Sequence, residues 1–144
     1  YTFNGWYDTG SLDYTYYVGA GGTWTPPARN ITMYARWTAV VSGSAPTLSV
    51  SNTYDGQIGG KYQWTLTITN TSSTAATSYA WGVQFSNSSG GTVNASTNGT
   101  GGSIPAGGSV TVTRNDATNS WARWVNISAS NSYGSSGTTS TGWA

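Results

Sequence analysis

The sequence predicts an all-β protein built from antiparallel strands, and three observations support this prediction. Strong helix formers are scarce, because the 144 residues include no Glu and a single Lys. Ser, Thr, Gly, Asn, Val and aromatic residues dominate instead, as is typical of strands and turns, and aromatic residues alone make up 14% of the chain. Apolar and polar residues also alternate with a period of two in several runs.

The first segment, residues 1–41, has a sequence pattern of its own. Residues 3–7 read Phe-Asn-Gly-Trp-Tyr, a Gly- and Tyr-rich stretch follows, and residues 33–37 read Met-Tyr-Ala-Arg-Trp. This pair of motifs resembles the Listeria–Bacteroides repeat, the B-repeat of internalin-type surface proteins, which carries F-x-G-W-Y and ends on L-Y-A-x-W. The match covers the later part of such a repeat, so the opening strand of the family unit would precede Tyr1.

The resemblance implies a partial β-grasp-like unit of the kind found in bacterial surface proteins and phage proteins. It implies that Trp6, Tyr34 and Trp37 are core residues of that unit. The absence of an initial Met leads us to expect that the chain is part of a longer protein.

A short segment rich in small residues, Ser-Gly-Ser-Ala-Pro at 42–46, is predicted to be a linker. It separates the repeat-like segment 1–41 from a second predicted domain, residues 47–144.

The second domain is predicted to be an Ig-like antiparallel β-sandwich. Its alternating runs have these apolar sets, in chain order: Tyr62, Trp64, Leu66 and Ile68; Tyr79, Trp81, Val83 and Phe85; Val110 and Val112; Val125, Ile127 and Ala129. Each run therefore presents one apolar face to a core and one polar face to water. Turn sequences such as Gly59-Gly60 and Gly107-Gly108 separate the runs, and short strands at this spacing favour a sandwich.

Two stretches of this domain are similar to the Ig-like repeats of bacterial surface and adhesive proteins. Residues 65–71 read Thr-Leu-Thr-Ile-Thr-Asn-Thr, and residues 103–112 contain the later Pro-x-Gly-x-Ser-Val-Thr-Val pattern. The similarity supports a sandwich fold and says little about activity.

The side chains of the common catalytic and metal sites are missing or sparse. Without His or Cys there is no His-activated nucleophile, no thiolate and no ordinary zinc site. The four carboxylates, Asp8, Asp13, Asp55 and Asp116, fall in predicted loops and turns, where capping of backbone amides is the expected role. We therefore predict no enzyme activity, no catalytic residues, no cofactor and no metal site.

Charge and length exclude two further classes of partner. The chain has 5 cationic and 4 anionic side chains and a net charge of +1, which does not form the basic stripe of a nucleic-acid binder. No apolar run approaches the ~20 residues that span a bilayer, so membrane insertion is not expected.

The aromatic residues are the candidate contacts. Flat Trp and Tyr rings stack on sugars, although most aromatic residues here fall on the apolar phase of a predicted strand. Trp124 falls on the polar phase beside Val125, so we predict that it faces outward and contacts a ligand or partner. The alternative is that it packs under a loop or against the neighbouring module. Tyr14, Tyr16 and Tyr17 form a second candidate cluster.

These observations predict a non-catalytic extracellular module, structural or adhesive, in a larger bacterial surface protein or phage virion protein. Its expected partner is a surface glycan or a neighbouring protein subunit, in a homo-oligomer or a larger assembly. The alternative is a carbohydrate-binding module of a secreted glycoside-active protein, suggested by the aromatic content.

Overall fold

The computed structural model describes residues 1–8, 17–25, 28, 30–40 and 42–144. These described residues form ten β-strands and no helix, in three antiparallel sheets, which confirms the predicted all-β fold class. No helix in this part of the chain is long and apolar enough to cross a membrane. The chain divides into two compact units, Tyr1–Ser42 and Gly43–Ala144.

The first unit contains a three-stranded sheet in the order β2-β1-β3. Its strands are β1 (Thr2–Tyr7), β2 (Tyr17–Val18) and β3 (Tyr34–Thr38). The pairing of β1 with β3 shifts between Phe3 and Gly5, and Gly5 has a φ of 128°, which a side chain would disfavour. This bulge explains why the motif needs glycine at that position.

The implied core role of three aromatic residues in this unit is wrong. Trp6, Tyr34 and Trp37 are 44%, 45% and 58% exposed. The described part of the unit is a single sheet, so no second layer of it covers these rings. Phe3 is half-buried and packs against Trp6 and Trp37, with ring centroids 5.6 and 5.0 Å apart, and we call these three rings the exposed aromatic cluster after its two exposed indoles.

The second unit contains two sheets. The three-stranded sheet has the order β4-β5-β8, with β4 (Leu48–Ile58), β5 (Lys61–Asn70) and β8 (Ser109–Asp116). The four-stranded sheet has the order β10-β9-β6-β7, with β6 (Ser78–Ser86), β7 (Ala95–Gly101), β9 (Trp121–Asn131) and β10 (Gly134–Ser135). Residues 139–144 extend the second sheet, because their backbone bonds to β9 from Ile127 to Ala122.

The inner faces of the two sheets share one hydrophobic core, as in a β-sandwich. The predicted apolar phases of β5 and β6 are confirmed by the buried residues Trp64, Leu66, Ile68, Trp81, Val83 and Phe85. Segment 44–46 belongs to the same unit: Pro46 is buried, and the Ser44 carbonyl accepts hydrogen bonds from Thr74 and Asn131.

Glycines on β7 make room for aromatic rings of β6. Gly99 pairs with Trp81, and Gly101 pairs with Tyr79. A Cβ added at Gly99 would lie 2.5 Å from the Trp81 ring, so the indole occupies the space that a side chain would need. The guanidinium of Arg114 lies 4.3 Å from the centre of the same ring.

A buried asparagine joins two loops to the end of β5. The Asn70 amide nitrogen donates to the carbonyls of Thr74, Ile104 and Pro105 at 2.8, 3.3 and 3.3 Å. Its carbonyl oxygen accepts hydrogen bonds from the backbone and hydroxyl of Ser72. Asn70 is fully buried, and these bonds satisfy a side-chain amide that water does not reach.

The apolar phase of β9 differs from the predicted one because the strand contains a β-bulge. Two residues, Asn126 and Ile127, lie opposite the single residue Trp81 of β6. Asn126 adopts a φ of 52°, a left-handed conformation that asparagine tolerates better than most residues. The extra residue reverses the alternation, so that Trp124 faces the core and Val125 faces outward.

Candidate functional site

The prediction that Trp124 faces outward is wrong. Its side chain is fully buried and meets Trp81 edge-to-face, with ring centroids 5.4 Å apart. Its indole N–H donates to the side-chain oxygen of Asn52 on β4, at 3.0 Å. In the folded unit Trp124 therefore joins the two sheets and cannot contact a ligand.

The second predicted cluster lies largely outside the described residues. Tyr14 and Tyr16 fall outside them, and of Tyr17 only the backbone is described, as part of β2 opposite Tyr7. A contact role for these three tyrosines stays a prediction.

The first unit also carries an apolar groove. It has a volume of about 300 Å³ and is lined by Trp6, Val18, Gly22, Trp24 and Met33. The groove and the exposed aromatic cluster share Trp6, so this unit presents an apolar surface.

The described carboxylates do not assemble into a catalytic or metal-binding group. No cluster of three His, Cys, Asp or Glu side chains occurs in the described part of the chain. Asp55 accepts hydrogen bonds from Thr65 at 2.7 Å and Gln63 at 3.5 Å. Asp8 follows β1 and has one buried oxygen, Oδ1, without a partner among the described residues, while Asp13 lies outside them.

Asp116 caps the turn that follows β8, the role predicted for it. Its Oδ1 accepts four hydrogen bonds, from the backbone N–H groups and the side chains of Thr118 and Asn119, at 2.7–3.1 Å. Burial by itself raises the pKa of the carboxyl, but the hydrogen bonds together outweigh burial and hold the pKa below its usual 3.8. Such a group stays ionised and is unsuited to donating a proton.

The outer face of the three-stranded sheet is a regular array of hydroxyl groups, which we call the hydroxyl face. Its three cross-strand rows are Ser49, Thr69 and Ser109; Ser51, Thr67 and Thr111; Thr53, Thr65 and Thr113. Neighbouring hydroxyls bond to one another, as between Thr69 and Ser109 at 2.7 Å. The nine positions carry no charge, so this face is solvated through hydroxyls alone.

The outer face of the four-stranded sheet is different, and we call it the arginine face. Its members are Gln84 on β6, Trp121, Arg123 and Val125 on β9, and Trp143 on the C-terminal segment. These residues alternate with core residues: Arg123 pairs with Gln84, while the next pair, Ala122 and Phe85, is buried. All five members are half-buried, which makes them accessible yet fixed by their neighbours.

The arginine side chain on this face is held from two sides. Its Nε donates to the Gln84 side-chain oxygen at 2.8 Å, and its guanidinium carbon lies 5.0 Å from the centre of the Trp143 ring. Trp143 reaches this position because Ala144 pairs with Ala122, which turns the preceding side chain outward. The terminal nitrogens of Arg123 make no hydrogen bond to the described residues.

A shallow depression of about 180 Å³ continues the same face toward β10. It is lined by small and hydroxyl-bearing residues, mainly Ser78, Ala80, Thr100, Ser128, Ser130 and Ser135. Gly82 lies between the depression and Gln84 along β6, and the side chain of its cross-strand partner Val125 lies beside it.

The arginine face was missed by sequence reasoning because its phase depends on the bulge. If the alternation ran unbroken through Val125 and Ile127, Arg123 would lie on the core-facing side of β9 and not on the surface. The signal that would correct this is Asn126, a residue suited to left-handed backbone in the middle of the run. The position of Trp143 depends on long-range pairing with β9, which no local pattern reveals.

No family model, curated protein or solved structure matches the chain. The resemblances to the Listeria–Bacteroides repeat and to Ig-like surface repeats therefore stay interpretations of the quoted motifs.

Proposed function

We propose that the chain is a non-catalytic attachment module of a larger extracellular protein, on a bacterial surface or a virion. The observation that carries the proposal is the arginine face, an accessible group of Trp121, Arg123 and Trp143 on a sandwich whose opposite outer face presents three rows of uncharged hydroxyls. Fixed aromatic and arginine side chains are typical of recognition surfaces, and a neutral hydroxyl surface stays soluble without selecting a partner.

The placement of the carboxylates in the second unit supports a role without catalysis. Glycoside hydrolysis requires two carboxyl groups that face each other across the substrate. Asp55 lies at the end of the hydroxyl face and bonds to Thr65, whereas Asp116 is occupied by its own turn. Neither residue lies on the strands that form the arginine face.

The first unit supports contact with a neighbouring protein subunit or repeat. Its apolar groove and the exposed rings of Trp6 and Trp37 are surfaces that a partner protein would cover. The motif resemblance at 3–7 and 33–37 supports an origin in a surface or virion protein of repeated units.

The second candidate function is a carbohydrate-binding module of a secreted glycoside-active protein. The half-exposed rings of Trp121 and Trp143 favour it, since indole faces stack on sugar rings. The two candidates predict different binding. A carbohydrate-binding module should bind a soluble polysaccharide as tightly as it binds an intact surface.

Sedimentation of the purified chain with bacterial cell walls and with insoluble polysaccharides tests the attachment role. We expect saturable retention, reduced about tenfold in affinity by Trp143→Ala, since an aromatic contact is worth up to ~1.5 kcal/mol. Thr67→Ala on the hydroxyl face is the matched control and should bind like the wild type. Equal loss in both variants, or turnover of any polysaccharide, contradicts the proposal.

A further inference from the structure

We propose that the arginine face binds a carboxylated glycan and that Arg123 receives the sugar carboxylate. This inference rests on the attachment role proposed above and names the ligand of the same surface.

The guanidinium is oriented before any ligand arrives. The Gln84 side-chain oxygen accepts a hydrogen bond from the Arg123 Nε–H at 2.8 Å, and the guanidinium carbon lies 5.0 Å from the centre of the Trp143 ring. These contacts occupy one edge and one side of the group and leave the terminal nitrogens free of described partners. Two parallel N–H groups of this kind match the two oxygens of a carboxylate, and the fixed geometry lowers the entropy lost on binding.

The charge of Arg123 has no counterpart on its own sheet. Strands β6, β7, β9 and β10 and residues 136–144 contain no other charged side chain. The two carboxylates of the second unit, Asp55 and Asp116, belong to the other sheet and are bonded to other residues. A half-buried cation without a neutralising partner on its face is complementary to an anion.

The surroundings of the charge fit a sugar rather than an acidic peptide. Hydroxyl and amide groups continue along the sheet from Ser96, which pairs with Gln84, to the depression lined by Ser78, Ser128 and Ser130. Such groups exchange hydrogen bonds with sugar hydroxyls, and the half-exposed ring of Trp121 offers a face for stacking. A face that bound acidic peptides would be expected to carry several cations, and this one carries one.

The experiment compares one polymer in two charge states. Polygalacturonate and the same polymer with its carboxyls methyl-esterified are titrated into the full chain by calorimetry, at low and high salt. We expect polygalacturonate to bind more tightly, with an affinity that falls as salt rises. Arg123→Gln should weaken that binding about 10- to 100-fold, since charge-assisted hydrogen bonds are lost.

Two further variants separate the effect of the planar guanidinium geometry from the effect of the positive charge. Arg123→Lys retains the charge without the planar pair of N–H groups, so its loss of affinity for polygalacturonate should be smaller than that of Arg123→Gln. Lys61→Gln makes the same change in net charge at the exposed β4–β5 turn and should leave the affinity unchanged. Circular dichroism of each variant verifies that the sandwich is intact.

Several outcomes overturn the inference. One such outcome is equal affinity for both polymers, with binding unchanged in Arg123→Gln and weakened in Trp143→Ala. The arginine face would then attach to neutral glycans, and recognition of a carboxylate by Arg123 would be refuted. Preferential binding of poly(glycerol phosphate) or polyglutamate at the same face replaces the carboxylated glycan by a phosphate polymer or an acidic peptide. Binding of no polymer, and of no cell wall, by the folded chain refutes the inference and the attachment role together.

Discussion

Replacing Trp124 by alanine should destabilise the second unit by about 3–5 kcal/mol, the usual cost of truncating a buried large aromatic residue. The side chain is fully buried, so its whole volume becomes a cavity unless the sheets move together. The change also removes the edge-to-face contact with Trp81 and leaves Asn52 without the indole donor. Because these contacts belong to one side chain, their loss is already included in the 3–5 kcal/mol and is not added to it.

Two other variants on β9 and its core make the prediction specific. Trp124→Phe keeps an aromatic ring and loses the hydrogen bond to Asn52, so we expect a cost of about 1–2 kcal/mol. Trp121→Ala removes an indole from the outer phase of the same strand and should cost about 1 kcal/mol or less.

The assay is guanidinium denaturation of the full chain, followed by far-ultraviolet circular dichroism. The free energy of unfolding is compared between variants whose denaturant slopes agree, so that the change is one of stability. The bulge places Trp124 inside and Trp121 outside. A larger loss for Trp121→Ala than for Trp124→Ala would refute that assignment and restore uninterrupted alternation along β9.

Three further predictions use the same denaturation measurement. Gly99→Ala should cost about 1–3 kcal/mol, because its Cβ would meet the Trp81 ring, whereas Gly102→Ala, with open space around it, should be nearly neutral. Asn70→Ala should cost about 1–3 kcal/mol, since it removes the side-chain bonds that join the two loops and takes away the acceptor of the Ser72 N–H; no measurable cost would contradict that joining role. The pKa of Asp116 is lower in the folded state, so its stabilising contribution is present above pH 3.8 and disappears as the pH falls through the folded pKa. Asp116→Asn should remove that acid-dependent part of stability, and an unchanged acid profile would count against the turn cap.

The strands whose alternation is unbroken could be predicted from the sequence. In β5 and β6 the apolar residues recur at every second position, and Trp64, Leu66, Val83 and Phe85 are all buried as expected. Local alternation decides burial there because each side chain alternates sides by strand geometry alone. The absence of Glu and the repeated turns likewise determined the all-β class.

The surface of the first unit shows how a motif can mislead when it is used without its packing. The motif at 33–37 indicates strand β3, which is present, yet Trp37 and Tyr34 are exposed. Whether an aromatic residue on a strand is buried depends on a second layer of structure, which the residues of that strand do not specify.

The sequence by itself therefore determined the fold class, the main apolar faces, and the scarcity of catalytic side chains. Tertiary structure alone decided the candidate site. One extra residue in β9 reverses the strand's faces, which sends Trp124 into the core and Arg123 to the surface. The partners of that arginine, Gln84 and Trp143, lie 39 residues before it and on the C-terminal segment, and only the pairing of strands brings them together.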